Sequence, residues 1–281
     1  MLELLKQPFV EIGIAVALIL AGIHAYLGFH VVSRGVIFVD LSLAQAAAFG
    51  YVVSIFLGVG EHSYLSYLIA LAFTMFGALL VSIARDRNNL IPHEAFIGII
   101  YAGFAALAVI VLAHLAEGSE VVSEITNGSI LSCTPGELIF VTCLYSAVGF
   151  FHYVFRAKFF LISESREKAV QSGVNVVLWD FLFYASFGLV VTSSVHLAGV
   201  LMVFSLLVIP PVIALLFTTS HGKRVALGWV VAGVGAVLGI LGSLSWDLPT
   251  APSIMVALIA LLVLAAIVRM ITGWGLATKT S

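Results

Sequence analysis

Long apolar runs, separated by short polar breaks, make up most of the chain. Each run is roughly 20 residues, enough for a helix to cross a bilayer. Barrel strands would instead alternate apolar and polar positions over about ten residues. The pattern therefore predicts an all-α polytopic membrane protein forming a single transmembrane domain over 1–281. Nine candidate spans can be read: 9–29, 36–58, 63–83, 93–115, 137–157, 176–195, 197–219, 225–243 and 252–271. The sixth and seventh are one apolar stretch of about 40 residues, too long for a single crossing. Gly199 near the join and the Pro210-Pro211 pair argue for an interrupted path there. If either piece re-enters the membrane, the count is eight. The first run continues to Leu27 with no small-residue cleavage pattern behind it, so no cleavable signal peptide is expected.

Composition agrees. Apolar residues are 62% and charged residues 9%, against about 45–50% and 25% in soluble domains. So few charges cannot cover a soluble globule of this size, which excludes a soluble enzyme. The net charge of −2 leaves no basic surplus for nucleic acid. Cys133 and Cys143 have neither zinc nor redox spacing and read as structural cysteines.

The few charges carry topology, because basic residues mark cytoplasmic loops. With nine spans and the C-terminus inside, Arg34, Arg85, Arg87, Arg156, Lys158, Arg166, Lys168, Lys223, Arg224, Arg269 and Lys279 fall on the inner side. Only Lys6 falls outside. Glu61, Glu117, Glu120, Glu124, Glu137 and Asp247 then lie outside. The loop at 116–136 is accordingly acidic. It either attracts cations or a basic partner surface, or is a plain solvated loop.

One cytoplasmic stretch is polar and helical in pattern: Ile162-Ser-Glu-Ser-Arg-Glu-Lys-Ala-Val-Gln-Ser-Gly-Val174. Ser163 is the expected N-cap and Gly173 the stop. An exposed helix between two spans either docks a partner or is a linker. No Gly-x-x-x-x-Gly-Lys-[Ser/Thr] occurs, and Gly222-Lys223 lacks the following hydroxyl. If ATP drives this chain, another chain binds it.

Ionisable groups inside spans are costly and are functional candidates. Asp40 and Gln45 lie in the second span beside Ala44, Ala46, Ala47, Ala48 and Gly50. That run serves either close helix packing or a narrow path. Five residues at 100° each put Asp40 and Gln45 about 140° apart, on different faces. His93 and Glu94 open the fourth span, where Glu94 either stabilises the helix N-terminus or contacts cargo. His196 sits at the break between the sixth and seventh spans, as ligand, gate or interfacial residue. His24, His30, His114, His152 and His221 read as interfacial, and Asp180 as water-accessible at the inner boundary. Metalloprotease spacings and a Gly-x-Ser-x-Gly hydrolase pattern are absent.

Four stretches in order resemble a known family. They are Gly28-Phe-His-Val-Val-Ser-Arg34 through Gln45-Ala-Ala-Ala-Phe-Gly50; His93-Glu-Ala-Phe-Ile-Gly98; Glu164 through Gly173; and Gly199-Val-Leu-Met-Val-Phe-Ser-Leu-Leu-Val-Ile-Pro210 through Ala214 with Asp247-Leu-Pro249. Over nearly its whole length the chain is similar to the membrane permease subunit of binding-protein-dependent ABC importers for zinc, manganese and iron, with a type II importer-like fold. The resemblance implies a second permease copy, two cytoplasmic ATPase subunits holding the ATP, and an extracytoplasmic metal-binding protein. It also implies a transported divalent metal with no tightly bound cofactor, in a cell inner (plasma) membrane. Glu164, Arg166, Glu167, Ala169 and Gly173 would form the ATPase coupling segment. Asp40, Gln45, His93, Glu94 and His196 would be substrate-path candidates. The family's Gly-Asp-x-x-x-His block is departed from: Leu41 falls on its aspartate and Gln45 on its histidine. Two other readings stand beside this one, a permease for a metal chelate and a secondary ion-coupled transporter.

Overall fold

A computed structural model describes residues 7–59, 63–84, 92–115, 122, 126, 128 and 130–273. Among them are ten α-helices and no strand. These are α1 (Pro8–Arg34), α2 (Val39–Phe56), α3 (Tyr64–Ile83), α4 (His93–Leu112), α5 (Pro135–Val154), α6 (Arg156–Glu164), α7 (Arg166–Gln171), α8 (Val176–Phe217), α9 (His221–Trp246) and α10 (Thr250–Thr272). All but α6 and α7 are long and apolar enough to cross a membrane, giving eight candidate spans. The expected sixth and seventh spans are one 42-residue element. As a straight helix it would run about 63 Å, twice the ~30 Å hydrocarbon core. It is not straight: Gly199 breaks it, with φ 72 and ψ 162. That backbone region is open to glycine almost alone. Gly128, itself at φ +60, lies so close that a Cβ there would stand 2.3 Å from Gly199 N.

Residue contacts divide the chain into two compact units, each discontinuous in sequence. The first comprises Met1–Val32, Ser129–Thr142 and Leu201–Ser281. Within it, α9 presents Gly228, Ala232, Gly235, Ala236 and Gly239 as a buried small-residue face. A Cβ at Gly239 would lie 2.3 Å from Ile254 Cα, so α9 and α10 meet backbone to backbone. Apolar lipid gives helices no hydrophobic reason to associate, and close van der Waals contact takes that role. The start of α5 carries a capping box: Glu137 N–H donates to Thr134 Oγ1 at 3.2 Å, and Thr134 N–H donates to Glu137 Oε2 at 2.8 Å. Pro135 takes the first helical position, where no N–H is needed.

Cys133 is buried just outside this helix, and burial together with the Glu137 charge pushes its thiol up to about 12. At pH 8 roughly one molecule in ten thousand then carries the thiolate, the form that reacts. Maleimide should therefore label Cys133 only after unfolding, as peptide mass spectrometry with and without denaturant would show. The folded state holds this proton more tightly than the unfolded one, so the contribution to stability is full below pH 9 and declines as pH rises towards 12.

The second unit comprises Ser33–Gly128 and Cys143–Val200. Here α2 packs on α3 and α4 through its small residues. A Cβ on Gly50 would meet Ala70 Cα at 2.7 Å, and one on Gly77 would meet Ala46 Cβ at 3.2 Å. The Ala44–Gly50 run is thus a packing face. Phe49 closes against Phe73 and Phe104, with ring centroids at 4.9 and 6.0 Å. Ser63 caps α3 by accepting the Ser66 N–H at 3.1 Å.

Candidate functional site

Asp40 lies in the first turn of α2 and is fully buried. Neither carboxylate oxygen has a hydrogen-bond partner among the described residues. A buried charge without partners is expensive; here the positive end of the α2 dipole offsets part of that cost. Glu94 has a different task. Its Oε1 accepts the Ile37 N–H at 2.9 Å, fastening the start of α4 to the chain entering α2. The bond runs to the chain before α2 and not to the N-terminus of α4, and it puts the Glu94 carboxylate three residues ahead of Asp40. His93 and Gln45 are half-buried.

His196 stands elsewhere, on α8, beside the far part of α2. Its ring meets Tyr51 edge-on at 6.0 Å, and Tyr51 is eleven residues beyond Asp40, about 16 Å up α2. The structure therefore does not gather the five path candidates at one point. Among the described residues, no group of three His, Cys, Asp or Glu side chains is placed to hold a metal ion. What lines α8 of the second unit is hydroxyl. Tyr145 OH lies 2.6 Å from Ser194 Oγ and 3.1 Å from Ser193 Oγ. Thr192 donates to Thr74 Oγ1 at 2.9 Å.

Three histidines read as interfacial, His24, His30 and His152, are in fact fully buried. His24 Nδ1 bonds the Leu20 carbonyl at 2.8 Å. His152 stacks on Phe159 at 4.3 Å and bonds Ser186 Oγ at 2.8 Å. Proximity to a span end is a coordinate along the helix, whereas burial depends on which side faces a neighbour. His114 and His221 are exposed, as expected.

The segment expected to be cytoplasmic consists of two short helices, α6 and α7, not one helix over 162–174. The cap of α7 is Ser165, whose hydroxyl accepts the Lys168 N–H at 3.3 Å. Ser163, the expected cap, instead accepts from Arg34 Nε at 2.9 Å. Gly173 does end the segment, at φ +74. Glu164, Glu167, Lys168 and Val170 face outward, while Ala169 is buried. Arg166 turns inward to pair with Asp180, which also pairs with Arg34 at 2.9 Å. Asp180 is thus a buried ion-pair partner, not the water-exposed carboxylate expected from its position. Arg34 and Asp180 are 146 residues apart, so no spacing rule could have joined them. The available signal was opposite charge at two span ends of the same side. Lys6, Glu61, Arg85, Arg87, Glu117, Glu120, Glu124 and Lys279 lie outside the described residues.

Comparison with known proteins adds a family. The profile of the ABC 3 transport family matches residues 6–269. A manganese transport system membrane protein, MntC, of Listeria monocytogenes is 21% identical over 91% of this chain and 89% of its own length. A Haemophilus influenzae protein described as an iron transport system membrane protein is 24% identical, covering 94% and 95%. The high-affinity zinc uptake system membrane protein ZnuB of Buchnera aphidicola is 24% identical, covering 82% and 86%. Among solved structures, PsaBC of Streptococcus pneumoniae in complex with Fab superposes with a TM-score of 0.79 at 20% identity, covering 93% and 92%. A chain described as belonging to a metal-chelate type ABC transporter, in an inward-facing conformation, reaches 0.71 at 18%, covering 92% and 85%. These two likenesses establish the fold.

Proposed function

The chain belongs to the ABC 3 transport family, and from that premise we propose that it is the membrane permease subunit of an ATP-driven importer of a divalent metal ion. Manganese, zinc and iron are the candidate cargoes. One observation carries this reading: relatives matching along nearly their whole length bear manganese, iron and zinc transport in their names. ATP hydrolysis belongs to a separate cytoplasmic subunit, in keeping with a chain that has no P-loop. An extracytoplasmic binding protein delivers the metal, and a second permease copy completes the membrane part. The protein sits in the inner membrane with its C-terminus cytoplasmic, the orientation that collects the basic residues inside. The exposed side of the 164–173 segment, with Glu164, Glu167, Lys168 and Val170, meets the ATPase.

The cargo passes Asp40, the buried carboxylate at the start of α2. Gln45 and His196 lie further along the route. Glu94 holds the α2 entrance, and His93 sits beside it. The metal is substrate here, so weak and successive contacts suit it better than a closed cage. A metal chelate is the second cargo reading, favoured by the second structural likeness. Secondary transport is not favoured: a carrier needs no exposed helical segment for an ATPase to hold.

Proteoliposomes holding the permease, loaded with Mn2+, Zn2+ and Fe2+ salts in turn and read by elemental analysis, test the proposal. Uptake is expected only when the ATPase, ATP and the binding protein are all present. Accumulation driven by an ion gradient through this chain alone would overturn it.

A further inference from the structure

Asp180 sits in the first turns of α8, with its side chain 6% exposed. Its Oδ1 accepts from Arg34 Nη1 at 2.9 Å, and its Oδ2 accepts from Arg166 Nη1. Arg34 is the last residue of α1 and its side chain is 4% exposed. Its guanidinium lies over the Phe183 ring at 4.0 Å, and its Nε donates to Ser163 at the end of α6. One carboxylate therefore joins three places in the chain: the end of α1, the α6–α7 segment and the start of α8. The arrangement does not earn its place by stability. Two guanidiniums share one carboxylate, and Arg34 Nη2 is buried without a hydrogen-bond partner among the described residues. Buried ion pairs are commonly no more stabilising than apolar replacements of similar volume, and fixing one discrete arrangement is their better-attested use. Arg166 differs from Arg34 in being 29% exposed, so the α7 end of the cluster is the end that a cytoplasmic partner can reach.

We propose that Asp180 is the joint through which displacement of α7 by the ATPase is passed to α8. It is a positioning residue of the transport cycle that touches neither nucleotide nor cargo. The two ion pairs are directional and converge on one carboxylate, so they hold α7 and the start of α8 to one relative placement. Four of the six residues of α7 are exposed, whereas α6 is packed on α8 through Phe159, whose ring lies 5.5 Å from Trp179 and 6.1 Å from Phe183. Without the joint, α7 can move while α8 stays. The expected defect is therefore lost coupling and not lost hydrolysis. This inference rests on the permease reading above.

The test uses the complete complex in proteoliposomes, with Mn2+, Zn2+ and Fe2+ as probes, measuring metal moved and ATP hydrolysed together. Asp180→Asn and Arg166→Gln are compared with the wild type and with Arg166→Lys. Arg166→Gln leaves the Arg34–Asp180 pair intact, so it keeps the test usable should Asp180→Asn fail to fold. The expected result is a fall in metal moved per ATP on the order of tenfold in both, within the usual range of a coupling free energy. Hydrolysis should stay within about threefold of wild type, and Arg166→Lys should restore most of the ratio because it retains the charge. Variants that lose transport and hydrolysis in proportion, or that keep the wild-type ratio, overturn the joint while leaving the permease reading intact. A wild-type complex showing no ATP-driven uptake overturns the reading beneath it.

Discussion

Replacing Asp40 with leucine should leave the chain at least as stable as the wild type while metal uptake falls by about 10- to 100-fold, the range seen when a metal's surroundings are perturbed. The two effects have opposite signs for one reason. Asp40 is fully buried and neither of its oxygens has a described hydrogen-bond partner. Insertion scales put such a residue at about 2.5–3.5 kcal/mol when it is charged at a helix centre. The α2 N-terminus returns part of this, and leucine keeps the same branched four-atom skeleton without the charge. For a chain of this size each kcal/mol moves the melting temperature by about 2–4 °C, so a rise of several degrees in detergent is measurable. Asp40→Asn should give an intermediate loss of uptake, because the amide keeps an oxygen but not the charge. A clear drop in melting temperature for Asp40→Leu would make the carboxylate structural. Unchanged uptake would take it off the path.

The largest loss of stability should come from a single methyl group at Gly28. A Cβ there would stand 1.8 Å from the Leu207 carbonyl oxygen, 2.8 Å from its carbon and 3.0 Å from Pro211 Cγ. The carbonyl is where it is for a covalent reason. Leu207 is four residues before Pro211, which has no N–H to donate, so this oxygen loses its helical partner. Gly28 lets α1 come up against that oxygen, a backbone approach of the kind that supports Cα–H···O contacts. Overpacking costs about 1–3 kcal/mol and occasionally more. With a rigid carbonyl on the other side Gly28→Ala belongs at the upper end. At Gly22, six residues earlier in α1, the methyl that alanine adds would have nothing within 4 Å. There the same substitution should stabilise the helix, by up to about 1 kcal/mol. Melting temperatures of the two purified variants decide this, and equal behaviour would refute the close-approach argument.

Much of the protein was readable along the chain. Apolar runs marked the spans, and the boundaries of α3 and α4 fall within a few residues of those expected. The stop at Gly173 and the break at Gly199 were legible because both need a backbone that glycine supplies. The tight packing of the Ala44–Gly50 run was legible as one of two meanings of small residues. Within the candidate site, legibility was poorer. Ser163 and Ser165 are equivalent as caps in sequence, and only the arrival of Arg34 from far away in the chain assigns one to the ion cluster and the other to α7. Ala169 and Arg166, read as part of an exposed coupling face, turn inward. A six-residue helix has too little periodicity to say which side it buries.

By itself the sequence determined that the chain is helical, membrane-spanning and sparing with charge, because burial in lipid is decided residue by residue through transfer free energy. Chain order and family-like motifs follow from the same local information. Only the tertiary structure decided which buried polar groups have partners. Among the described residues it left Asp40 without one, gave Asp180 two, and put Gly28 on the carbonyl that Pro211 cannot satisfy. Hydropathy is a property of a single position, whereas a hydrogen bond or a close approach is a property of two positions that the fold alone brings together.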